Sequence, residues 1–272
     1  MWASLDGTLI DADAPALPLG DRGFTLGDGV FETIAVAGGQ ARRVDRHLTR
    51  LAEGLAALAI TPAPDPAALR AALGEVIAAN ALTTGALRLS VSRGAGGRGV
   101  AVQGAGPPRV AVTARAGAAP QTPVTAVLAT TVRRNAHSPA SHIKALSYLD
   151  NVLARQEADG RGADEALLLN TDGRLAEASI ANVVLALDGQ VWTPPCADGA
   201  LPGVARAAIL DAGAAAVAVV ERDDLMAARE IVLTNSLGAR AVTHLDGAPV
   251  GDGTEGPLCR RLRALIAAES PS

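Results

Sequence analysis

The spacing of apolar and polar residues changes period along this chain, and each change marks an element. Residues 2–10 read as a short hairpin around Asp6-Gly7, a pair suited to a tight turn. Glycines 23, 27 and 29 then punctuate a turn, after which residues 30–36 take on strand character. Across residues 44–60, Leu48, Leu51, Leu55 and Leu58 recur at helical spacing. Asp65-Pro66 sets an N-cap before a first-turn proline and opens a second helix through Leu82. Residues 86–92 and 109–114 alternate as strands, and residues 117–120 form a linker. Beyond it come an apolar strand (124–132), a helix (149–160) and a hairpin about Asp172-Gly173 (165–177). A strand (182–187), a helix opening at 201–206, a buried strand (231–238) and an amphipathic helix (258–268) complete the chain. The pattern predicts an α+β protein of two lobes, residues 1–116 and 121–272.

Composition narrows the class. Hydrophobic residues make up 49% of the 272, yet aromatic residues only 2%, so Ala, Val and Leu must build the core. So few aromatic residues argue against a base-stacking surface, and a net charge of −4 argues against a polyanion partner. No run has the length of a membrane span, and the first residues lack the charged-then-apolar signature of a signal peptide. Cys196 and Cys259 show no metal-ligand spacing. The expectation is a soluble, cytoplasmic enzyme with a small-molecule substrate and no nucleic acid, membrane or metal.

The candidate chemistry lies in the stretch from Ser141 to Asn151. Of 24 basic Lys and Arg residues only one is lysine, Lys144, and the only tyrosine, Tyr148, follows four positions later. Arginine stays protonated and cannot serve as an amine, whereas lysine can be driven neutral and form a Schiff base. A chance surviving surface lysine is the competing reading. Placed on the approach to the 149–160 helix, the two side chains would share a face at i, i+4. Residues 94–99 match GxGxxG, but no helix pattern follows and no acid stands about 20 positions on, which argues against a dinucleotide site. That loop, with Arg93 and Arg98, is either an anion grip or a plain hairpin loop. The free amides of a helix opening at Leu201-Pro202-Gly203-Val204-Ala205-Arg206 would suit a phosphate, and Ser236 at a strand end is a second anion contact. Phe24 and Phe31 are core filling or the wall of a pocket.

Taken in order, Arg22-Gly23, Gly27-Asp28-Gly29-Val30-Phe31-Glu32, His47-Leu48-Thr49-Arg50-Leu51, Lys144, Glu177 to Asn182, Leu201 to Arg206 and Thr234-Asn235-Ser236 resemble the class IV (fold-type IV) pyridoxal-phosphate enzymes. That family holds D-amino-acid, branched-chain and (R)-amine transaminases and 4-amino-4-deoxychorismate lyase. The resemblance implies a two-lobed fold-type IV architecture like that of D-amino-acid aminotransferase, pyridoxal 5'-phosphate as cofactor, and a homodimer. It implies that Lys144 carries the Schiff base and shuttles protons, that Glu177 pairs with the pyridine nitrogen, and that Tyr148 lies near the ring oxygen. Arg50, the Val204 and Ala205 amides, Asn235 and Ser236 would hold the cofactor, while Phe31, Arg93 and Arg98 would meet the substrate. Ser92 to Gly99 is similar to the corresponding lyase stretch, so the first reading is the lyase of folate biosynthesis, which releases pyruvate and leaves 4-aminobenzoate. The alternative is an aminotransferase for D-amino or branched-chain amino acids with a 2-oxo acid acceptor. The set Lys144, Glu177 and Arg50 argues against a non-catalytic binding protein. A cofactor-free Schiff-base aldolase would need an eight-fold strand-helix alternation that the chain lacks.

Overall fold

The computed structural model describes residues 1–14, 17–97 and 99–268, and within them the chain divides into two compact units. The first comprises Met1–Ala119 together with Ile143–Tyr148. Its elements are β1 (Trp2–Leu5), β2 (Thr8–Asp11), α1 (Arg22–Leu26), β3 (Gly29–Ala37), β4 (Gln40–Ala41), α2 (Val44–Ala57), α3 (Pro66–Ala79), β5 (Thr84–Ser92) and β6 (Arg109–Ala116). The six strands form one sheet in the order β2-β1-β6-β5-β3-β4. The β1–β2 hairpin turns at Asp6 and Gly7, both at positive φ, as the sequence pattern predicts.

Period-two alternation along β3 turns Val30, Glu32, Ile34 and Val36 to one side, and all four are buried. Leu48, Leu51 and Leu55 of α2 and Leu73 of α3 bury against the same cluster as Val30 and Ile34. Each such side chain stabilises the unit by about 1.5–3 kcal/mol relative to exposure. Asp65 caps α3 by accepting from the Ala67 amide at 3.2 Å. Phe31 is buried, whereas Phe24 stands 71% exposed and fills no core.

The second unit comprises Pro120–His142 and Leu149–Glu269. Its elements are β7 (Val124–Leu128), α4 (Leu149–Gly160), β8 (Glu165–Leu169), β9 (Leu175–Ala178), β10 (Asn182–Leu187), β11 (Gln190–Thr193) and α5 (Val204–Asp211). They are followed by β12 (Ala216–Val217), α6 (Arg222–Ala227), β13 (Glu230–Asn235), β14 (Gly238–Leu245), β15 (Ala248–Pro249) and α7 (Pro257–Ala268). The nine strands form one mixed sheet, with β7 parallel to both β14 and β8. Both faces are covered, so β10 is a continuous apolar run rather than an alternating one. Val183 and Leu185 join one core cluster, while Val184 joins another with Ile209 of α5 and Leu262 of α7.

Two expectations change. The apolar run 124–132 is a strand only through Leu128, because Thr130 and Thr131 turn to cap the Glu157 carboxylate of α4. The run 231–238 is a strand through Asn235, then a turn, with Gly238 already opening β14. The lysine segment also groups otherwise than the division at 121 anticipates. Ile143–Tyr148 belongs with the first unit, since the Phe31 amide donates to the Lys144 carbonyl and the Leu146 amide to that of Gly29, both at 2.9 Å.

Candidate active site

Lys144 and Tyr148 do not lie on a helix, because α4 begins only at Leu149. Instead Ala145 bridges to Val30 antiparallel, so the lysine segment runs as a short strand along β3. Gly27 makes room for it: φ is +66°, and a Cβ there would come within 2.8 Å of Ser147 Cβ. The two side chains still meet, by way of Phe31. Lys144 Nζ stands 4.4 Å from the Phe31 ring centroid and 5.3 Å from that of Tyr148, and the two rings pack edge-to-face at 5.2 Å. Arg88 of β5, which the sequence reading passed over, lays its guanidinium carbon 3.8 Å from the same Phe31 centroid. Packing there takes part of the guanidinium out of water and lowers its pKa, with the Tyr148 hydroxyl acting in the opposite sense.

On the other side of β3, Arg50 donates to Glu32 through Nε to Oε1 at 2.8 Å and through Nη2 to Oε2 at 2.5 Å. His47 Nδ1 lies 2.6 Å from the same Oε2. Burial alone would raise the Glu32 pKa, but hydrogen bonds from His47 and Arg50, and then their charges, bring it below the ordinary value. Burial lowers the pKa of His47; Glu32 opposes this, and the charges of Arg50 and Lys144 reinforce it.

Arg93 meets Asp28. Its Nε and Nη2 grip the carboxylate at 2.8 and 3.0 Å, and the rest of the guanidinium donates to the carbonyls of Leu58 and Ala59. The same Asp28 oxygen accepts from Arg22 Nε, and the Arg22 guanidinium fastens the carbonyls of Gly99, Val100 and Ala101. The glycine-rich stretch is therefore a loop anchored on two arginines, with Arg93 engaged in folding it. Arg98 lies outside the described residues.

Within the second unit Glu177, in the middle of β9, is 5% exposed. Its Oε1 takes a 3.1 Å ion pair from Arg134 Nε and its Oε2 accepts from the Leu201 amide at 2.9 Å. Arg134, also passed over in the sequence, donates as well to the carbonyls of Gly199 and Ser141. Asn182 donates to the Leu201 carbonyl at 2.8 Å, and its Oδ1 would lie 1.9 Å from a Cβ at position 203, so only glycine fits as the N-cap of α5. Gly203 provides no side-chain cap, which leaves the amides of Val204 and Ala205 to an anion. In β13, Thr234 Oγ1 is buried without a hydrogen-bond partner, while Asn235 spends its side chain on the Ile180 carbonyl and the Leu237 amide.

The chain belongs to the class IV aminotransferases, whose family model matches residues 29–245. It is 29% identical over 276 residues to a D-alanine aminotransferase of Bacillus licheniformis, covering 98% of this chain and 96% of that protein. Among solved structures it is similar to the pyridoxal-phosphate-bound form of a hypothetical aminotransferase from Mycobacterium tuberculosis (TM-score 0.85, 26% identity, 98% of each chain). It is likewise similar to a putative 4-amino-4-deoxychorismate lyase from Legionella pneumophila (TM-score 0.86, 26% identity, 94% of this chain and 96% of that one). The chain is thus a pyridoxal-phosphate-dependent enzyme of this family. Each unit carries residues whose chemistry fits the group: the first has the amine of Lys144, and the second has the Glu177 carboxylate, which would suit a ring nitrogen, and the uncapped helix start at Val204, which would suit a phosphate. No cluster of three or more His, Cys, Asp or Glu among the described residues can hold a metal ion, and no described helix is long and apolar enough to cross a membrane.

Proposed function

We propose that this enzyme acts on a primary amine that also carries a carboxylate. One observation carries the reading: the Phe31 ring has the Lys144 amine 4.4 Å and the Arg88 guanidinium 3.8 Å from its centroid. An exchangeable amine and a permanent cation thus share one aromatic wall. Pyridoxal phosphate, when bound, supplies an electron sink for the bond next to the substrate nitrogen. The chain's own groups do the rest. Lys144 is the base that takes the proton next to the substrate nitrogen and later returns it. Glu177, paired with Arg134, would face the ring nitrogen and hold its proton. Phe31 and Tyr148 exclude water from the amine, and Arg88 orients the carboxylate that the sequence reading assigned to Arg93 or Arg98. Arg50, Val204, Ala205 and Ser236 hold the cofactor phosphate.

Among the reactions open to this set, 4-amino-4-deoxychorismate lyase comes first. Its support is the lyase-like run of residues 92–99, and the likeness to the Legionella protein. Transamination of D-amino or branched-chain amino acids is the second reading, favoured by relatives named D-alanine aminotransferase and putative branched-chain-amino-acid aminotransferase. The two differ in stoichiometry. A lyase regenerates its resting form each cycle, whereas a transaminase stops after one turnover without a 2-oxo acid. Given 4-amino-4-deoxychorismate alone, the enzyme is expected to release pyruvate and 4-aminobenzoate over many turnovers. Sustained turnover of D-alanine with 2-oxoglutarate, and no 4-aminobenzoate from the chorismate substrate, would reverse the order.

A further inference from the structure

Glu32 is out of place by pattern. It occupies a core-facing position of β3 between Val30 and Ile34, and none of it is exposed to solvent. His47 and Arg50 stand beside it on α2 among Leu48 and Leu51, 1% and 9% exposed. Burying three such groups is costly, and an apolar trio of similar volume would often be as stable or more so. Stability therefore does not account for the trio. Its geometry suggests another use. The carboxylate takes the Nε and Nη2 edge of Arg50 in a two-point fork, which fixes the plane and direction of the guanidinium. His47, on the Oε2 side, supports the carboxylate in turn.

We propose that Glu32 is a positioning residue which, by locking the Arg50 guanidinium through this fork, sets the enzyme's preference for the phosphorylated form of its cofactor. The inference rests on the reading of Arg50 as a phosphate ligand. A group aimed in advance binds its anion without first losing side-chain freedom. Only a ligand that carries the phosphate gains from the aim.

The test compares binding of pyridoxal phosphate and of pyridoxal, which lacks the phosphate, to the full chain freed of cofactor, followed by the visible absorbance of the bound form. Glu32→Gln is expected to weaken pyridoxal phosphate about tenfold or more, as for loss of one charge-assisted contact, while pyridoxal stays within about twofold. Should Glu32→Gln fail to fold, Glu32→Asp keeps the charge but is one methylene too short for both contacts, and should show a smaller loss confined to the phosphorylated form. Equal weakening of both ligands, or of neither, in whichever variant folds overturns the proposal. Arg50→Ala separates it from the reading beneath. If Arg50→Ala abolishes discrimination between the ligands and the Glu32 variants do not, the inference about Glu32 fails while Arg50 keeps its role. If Arg50→Ala leaves discrimination intact, both fall.

Discussion

Arg134 and the Leu201 amide each take one oxygen of the buried Glu177 carboxylate. Replacing it by Gln removes the charge that would hold a proton on the cofactor ring, while the amide retains the shape. Turnover is expected to drop by two to three orders of magnitude, roughly 3–4 kcal/mol by comparison with other positioned groups that face developing charge. A steady-state rate within about threefold of wild type would remove Glu177 from that role. At this scale the sequence was legible where a residue was singular. Lys144 stood out as the lone lysine, and Glu177 through its place in an ordered set of motifs. Arg88, Arg134 and Glu32 did not stand out, because each is defined by a partner that only folding brings near. Arg88 needs Phe31, 57 positions back, and Arg50 is 18 residues from Glu32. Arg93 misled for the same reason: its partner Asp28 is 65 residues away.

Helices were placed correctly, α2 and α7 from apolar spacing and α3 from its Asp65 cap, although α2 and α3 each end three residues before the predicted bound; the strand errors fell where side chains cap rather than pack. Strand β7 ends early because Glu157 of α4 accepts from the hydroxyls and amides of both Thr130 and Thr131, at 2.7 to 3.0 Å. Burial alone would raise the Glu157 pKa, but these hydrogen bonds outweigh it and lower the value to about 2. A depressed carboxyl contributes stability in full above its unfolded value, and that stability is lost as pH falls through the folded value. Glu157→Gln should therefore destabilise the protein by about 1–2 kcal/mol at neutral pH. The gap to wild type should narrow as pH falls from the ordinary 4.5 toward about 2. Urea unfolding at pH 7, 5 and 3.5 measures this, and a gap that does not shrink at the lowest pH would discount the cap.

The whole chain carries one lysine, which makes covalent attachment of the cofactor easy to locate. Borohydride reduction of the loaded enzyme followed by tryptic digestion should give one modified peptide, running uncut from Asn135 to Arg155. In Lys144→Ala no such peptide should form, and a label on any other side chain would dislodge the assignment. What the linear pattern did not convey at this scale is the grouping of Ile143–Tyr148 with the first unit, since its partners in β3 lie more than 100 residues upstream and nothing local signals them. That docking has a dynamic consequence. The amides of Phe31 and Leu146 are tied across the junction of β3 and the lysine segment, and can trade hydrogen for deuterium only when the segment lifts away. Their exchange rates therefore time the breathing of the reactive lysine, so two backbone positions act as a clock for how long the amine stays aimed.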